Sequence, residues 1–154
     1  MRKSTLLGGL LTIAIIGLPV VAWSHMKASD LPAGPIRDRH QLMEGIGAHA
    51  KKIGQALKAG KTHAIAPEAE GISTAAKQIP DLFPPGSTNP KSRAKPEIWT
   101  NWDKFVGLAN DLSSTAAALA TTAKAGGEVK PAADKMFGTC KSCHDDFRTP
   151  EKDE

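Results

Sequence analysis

The chain has 154 residues, room for one domain. Hydrophobic residues make up 40% and charged residues 23%, which excludes a wholly disordered chain. Two Cys exclude a disulfide scaffold, and a formal charge of +4 is too small to argue for a nucleic-acid partner. Aromatics are only 5%, with no Tyr, and Ala and Lys outnumber the β-branched residues, so helices are favoured over a sheet.

The first segment reads as an address. Met1-Arg2-Lys3 is a basic start, residues 6–23 are apolar without a charge, and Ala22-Trp23-Ser24 has the small-x-small pattern of a cleavage site. This predicts a secretory signal over residues 1–24, cut after Ala22 or Ser24, and a mature domain over residues 25–154. An uncleaved membrane anchor is the alternative, since the run is about long enough to span a bilayer. Gly8, Gly9, Gly17 and Pro19 argue against a stable membrane helix. Cleavage leaves 18 basic and 16 acidic residues, a net +2. An exported chain of this size points to a bacterial periplasm.

Four helical stripes follow. The first is Ile36, Met43, Ala50 and Leu57, interleaved with Arg39, Ile46 and Ile53; Pro35 suits its first turn and Gly60 its stop. The second is Ile65, Ala69, Ile72, Ala76 and Ile79, closed by Pro80. The third runs Ile98, Trp102, Phe105, Ala109, Leu112, Ala116, Leu119, Ala123, from Pro96 to Gly126-Gly127. The fourth is Val129, Ala133, Met136, Cys140, Cys143 and Phe147, entered through Pro131. Spacings of 3 and 4 put each set on one helix face. Four such helices predict an all-α, antiparallel four-helix bundle. The link over residues 81–95 carries three Pro and is long for a compact domain, so it is expected to cover or build something.

Cys140-Lys141-Ser142-Cys143-His144 is the strongest chemical signal. Its spacing is that of c-type haem attachment. On a helix, positions i, i+3 and i+4 share a face, so two thiols can bond the two haem vinyl groups while the next residue offers an imidazole to the iron. Chance placement of two Cys and a His in this order is on the order of 1 in 2,500. A thiol–disulfide pair usually sits in a βαβ context, which is missing, and two Cys and one His on one helix cannot surround zinc without further ligands.

With this motif near the end of a four-helix pattern, the sequence resembles the class II cytochromes c, meaning cytochrome c′ and its low-spin relatives. Arg39-His40-Gln41-Leu42-Met43 is similar to the family's first-helix segment, Ala94-Lys95-Pro96-Glu97-Ile98-Trp99 to the entry of its third helix, and residues 140–148 to its haem-binding end. The resemblance spans residues 32–149. It implies one covalent haem c, thioethers at Cys140 and Cys143, proximal ligation by His144, a haem-propionate or pocket role for Arg39, and a proximal-side place for Arg148.

The family divides on the other side of the iron. Cytochrome c′ leaves it empty and binds small gases; the low-spin relatives fill it with a Met from the first helix. Met43 sits about 10 Å into its helix and His144 about 6 Å from the end of the fourth, so in an up-down bundle their levels nearly coincide. Met136 shares a helix with His144, Met26 precedes the first helix, His49 is too deep and His63 is at the far end; His40 is the runner-up. A flexible Met can also simply fill the core. Trp99 and Trp102 are expected to pack around the haem end, and Asp145 and Asp146 to form a solvated face.

The leading expectation is a periplasmic electron carrier with His144/Met43 ligation, working with redox partner proteins. The alternative is a five-coordinate, cytochrome c′-type binder of nitric oxide or carbon monoxide. No second motif supplies an acid–base group, so an enzyme is not expected. Neither is stable membrane insertion once the signal is removed. A homodimer through the first two helices is left open. Lys91, Arg93, Lys95 and Lys104 are the candidates for a local docking patch, with ordinary solubilising charge the favoured alternative.

Overall fold

The computed structural model describes residues 28–150; the expected signal segment and Met26 lie outside the described residues. Five helices follow, α1 (Pro35–Lys58), α2 (Ile65–Ala76), α3 (Glu97–Thr100), α4 (Trp102–Lys124) and α5 (Val129–Phe147). Four are long, and they occupy the four predicted stripes. Among the described residues the sole β pairing is an isolated bridge between Ala94 and Arg148.

The predicted helix ends are where the chain chemistry puts them. Pro35 takes the first turn of α1, where its missing N–H costs nothing. After α1, Gly60 adopts φ 66°, which lets Gly60 N–H reach the Leu57 carbonyl (3.2 Å) and Lys61 N–H the Ala56 carbonyl (2.9 Å). These paired bonds satisfy carbonyls the helix leaves open, and the left-handed residue between them favours glycine. The same pattern closes α4 at Gly126, with φ 68°.

The third stripe is not one helix. Asn101 leaves the helical region, at φ −123° and ψ 45°, and divides α3 from α4. Its carbonyl accepts the Phe105 N–H at 3.0 Å and starts the second segment. Asn is a residue whose side chain competes for backbone bonds and favours helix ends over interiors. Trp102 is 37% exposed, but its ring still meets Phe105 with centres 5.6 Å apart.

The long helices pack in the ring order α1, α2, α4, α5. Antiparallel directions follow from the cross-links. Ser113 of α4 donates to the Ser73 carbonyl of α2, while Lys124, further along α4, pairs with Glu70, earlier in α2. Lys104 at the start of α4 meets Asp146 at the end of α5, at 2.9 Å. α1 lies against α2, with His49 donating to Glu68 at 2.6 Å. Gly71 makes that approach possible: a β-carbon there would stand 2.7 Å from the His49 ring. The core is built by the stripes, with Ile53, Ile65, Ile72, Ile98, Phe105, Leu119 and Met136 fully buried.

One side of the ring stays open. α1 packs on α2, and α5 on α4, but α1 and α5 make at most marginal contact with each other.

Candidate functional site

The open α1–α5 side carries the chemistry. On α5 the stripe residues Val129, Ala133, Met136 and Phe147 are buried. Cys140 and Cys143 interrupt that sequence: they are only partly buried, though both pack against the core. The helix face therefore loses part of its cover at the two thiols, on the wall that α1 barely touches. A partly covered apolar face beside two thiols, with Phe137 alongside, suits a flat, largely apolar group. The residues present fit haem.

Burial pushes the Cys140 thiol above its ordinary value, and the Cys143 thiol up to about 11, with Cys140 and Asp146 adding to the second shift. A thiol–disulfide exchange pair needs the opposite, a thiolate stabilised at neutral pH. Among the described residues no group of three or more His, Cys, Asp or Glu could hold a metal ion, so the zinc alternative finds no further ligands.

His144 lies in the last turn of α5 and is exposed as a residue. It faces a hollow of about 320 Å³ lined by Arg93, Lys95, Asp145, Arg148 and Thr149. Protein atoms around its ring lower its pKa first, and the positive charges of Arg148 and Arg93 add to this against Asp145. The shift favours the neutral imidazole, the form that ligates a metal. Arg148 lines the same hollow as His144.

On α1, Met43 is partly buried and packs against the core. Arg39, one turn earlier, is only 4% exposed. It is the charged member of the first stripe, and the structure explains its burial by what it holds. Its Nη1 donates to Ser87 Oγ at 2.9 Å; its Nη2 donates to the Ser87 carbonyl at 2.9 Å and to Ser92 Oγ at 3.0 Å. The guanidinium also lies 4.6 Å from the centre of the Phe83 ring. Burial pulls its pKa down from the ordinary arginine value. These bonds go to the long link, residues 83–95.

The far end of that link grips α5. Lys95 N–H donates to the Phe147 carbonyl (3.0 Å) and Thr149 N–H to the Arg93 carbonyl (2.8 Å). Lys95 Nζ donates to the Asp145 and Asp146 carbonyls at 2.9 and 3.2 Å, capping the C-terminal turn. The start of α1 and the end of α5 are therefore at one end of the bundle, the condition behind the level argument for Met43 and His144.

Of the other histidines, His40 is half-buried and 3.4 Å from Glu44 one turn on in α1, and His49 is engaged with Glu68 of α2. Trp99 packs as expected, its indole donating to the Phe83 and Pro84 carbonyls at 3.1 Å. Asp145 pairs with Lys141 at the surface, but Asp146 bridges to Lys104 and so joins α5 to α4, a part that the expected solvated face lacked. Sequence reasoning missed Ser87, Ser92 and Phe83. The one signal for them was the charge of Arg39 inside an apolar stripe, which demands a polar partner.

Comparison with known proteins shows the family. A family model described as Cytochrome C′ matches residues 34–148. A cytochrome c′ of Rhodopseudomonas palustris is 34% identical over 117 residues, covering 73% of this chain and 80% of that protein. A cytochrome c-556 of Agrobacterium tumefaciens (strain II Chrys) is 33% identical over 120 residues, covering 75% of this chain and 98% of that one. A solved cytochrome c′ from Rhodopseudomonas palustris superimposes with a TM-score of 0.69 at 29% identity, over 79% of this chain and all of that chain. The partly covered two-thiol wall, the CxxCH motif and these matches together place the chain in the cytochrome c′ family, whose cofactor is covalently bound haem c.

Proposed function

We propose that this chain is a periplasmic, cytochrome c′-type haem protein that takes up a diatomic gas such as nitric oxide or carbon monoxide. In this reading Cys140 and Cys143 hold the haem, His144 ligates iron from the α5 side, and Met43 is the α1 residue facing the opposite side. The carrying observation is the open α1–α5 side, with the attachment motif on one wall and partly buried Met43 on the other. Haem c supplies an iron that binds a gas or passes one electron. The chain's own part is to hold it, exclude water from it and limit access to it. That is a binding role, not an enzyme's. The export segment supports the location, and no helix among the described residues is long and apolar enough to cross a membrane.

A second reading is favoured by Met43 itself. A thioether one turn beyond Arg39, level with His144, is a ligand donor, and a His/Met pair suits an electron carrier of raised potential. Absorption spectra of both oxidation states, with and without carbon monoxide, decide between them. Gas uptake predicts a high-spin protein that binds carbon monoxide rapidly. Low-spin spectra in both states with slow carbon monoxide binding overturn it in favour of the electron carrier.

A further inference from the structure

We propose that residues 83–95 are a strap that fixes the separation of α1 and α5, and that Arg39 is the positioning residue that anchors it. The two helices make at most marginal contact with each other, so their spacing has to be set by something that touches both. The strap does. Arg39, four residues before Met43, binds its middle at Ser87 and its later part at Ser92. Its C-terminal end, directly after Ser92, is bound through Arg93 and Lys95 to Thr149 and Phe147, three to five residues after His144. Its root is held down by the Trp99 indole and by Phe83 against Phe105, with ring centres 4.8 Å apart. Phe105 in turn meets Phe147 at 5.4 Å. A continuous set of contacts thus runs from the Met43 wall to the His144 wall.

The arginine fork is what the geometry uses. Nη1 and Nη2 hold three acceptors on two serines, while the guanidinium face covers Phe83. A lysine carries the same charge on one nitrogen and has neither the planar fork nor the flat face. This separates the strap role from that of a simple counter-charge to a carboxylate of the bound group, which lysine serves equally well. The proposal rests on the α1–α5 crevice being the haem site, so its test has an arm independent of haem chemistry.

The test uses the holoprotein in four forms: wild type, Arg39→Lys, the double variant Ser87→Ala/Ser92→Ala, and Ile65→Val as a control at the opposite end of the bundle. Amide hydrogen exchange is followed at Lys95 and Thr149, and carbon monoxide association by flash photolysis. Thermal melting establishes that the control loses comparable stability. The expected result is faster exchange at Lys95 and Thr149 in Arg39→Lys and in the serine variant. Carbon monoxide association should change by about fivefold or more in both, with the control unmoved. Wild-type exchange in Arg39→Lys overturns the strap. Faster exchange with unchanged carbon monoxide kinetics, or an equal kinetic change in Ile65→Val, overturns the positioning role. Loss of covalent haem on removing Cys140 and Cys143 is independent of all these outcomes and tests the haem reading alone.

Discussion

Met43 and Met136 offer the same side chain on α1 and α5, one partly and one wholly buried, and their replacement by Ala separates packing from access. Each substitution removes the same three heavy atoms. At Met136 the loss is a full core cavity, and about 2–5 kcal/mol of stability should go with it. At Met43 part of the side chain already meets open space, so the cost should be nearer 1 kcal/mol. Access should follow the reverse order. Shortening Met43 opens the α1 wall, and carbon monoxide association should accelerate about tenfold, a barrier change of about 1.4 kcal/mol. Met136→Ala should leave association within about twofold, because its side chain lies in the α4–α5 core on the helix that carries His144. Urea unfolding measures the first quantity and flash photolysis the second. If Met43 sulfur binds the iron, its removal should also turn low-spin spectra high-spin and lower the reduction potential. His40→Ala, at a half-buried residue beside Glu44, should change neither measurement. Unchanged spectra and kinetics in Met43→Ala, or equal kinetic effects from both methionines, refute the assignment of Met43 to the iron's open side.

Three further outcomes are expected. Replacing both Cys140 and Cys143 by Ala should release the haem on acid–organic extraction, while wild type keeps it on the chain; extraction of haem from wild type contradicts the covalent site. Phe105→Ala should cost about 3–5 kcal/mol in urea unfolding, since Phe105 is 2% exposed and joins the rings of Phe83, Trp102 and Phe147; a loss under about 1 kcal/mol means the aromatic cluster is not a packed unit. The third concerns acid. The His49 hydrogen bond, then Lys52, holds the Glu68 carboxyl below its ordinary value against partial burial. A depressed folded pKa stabilises above the unfolded value and is lost as pH falls through the folded one. Wild type should therefore be more stable than Glu68→Gln at neutral pH, with the difference shrinking from about pH 4.3 downward. A difference that is constant across that range refutes the coupling.

The helices were legible because burial follows a period that the chain writes directly. Ile65, Ala69, Ile72, Ala76 and Ile79 were read as one face, and all five are buried. Gly60 and Gly126 announced the stops through the backbone conformation each stop needs. The break at Asn101 was hidden by the same logic: Ile98 and Phe105 are seven apart, so the stripe continues in register across a residue that is not helical. Periodicity reports which side chains face the core. It does not report the dihedral angles of a residue that faces away.

The site divides along a different line. Cys140, Cys143 and His144 are neighbours in sequence, so local helix geometry alone brings them to one wall. Met43 needed a bundle before its level could be argued. Arg39 needed more, because its partners lie 48 and 53 residues away in a link with no period. What the sequence did show was an anomaly: one charge in an apolar stripe, and one loop too long for its span. Each resolves the other. A buried guanidinium requires acceptors, and a loop held near an open crevice requires an anchor. The same bonds that satisfy the charge bring the loop's far end to the turn that carries His144. The feature least legible in the sequence is thus the one that joins the two walls.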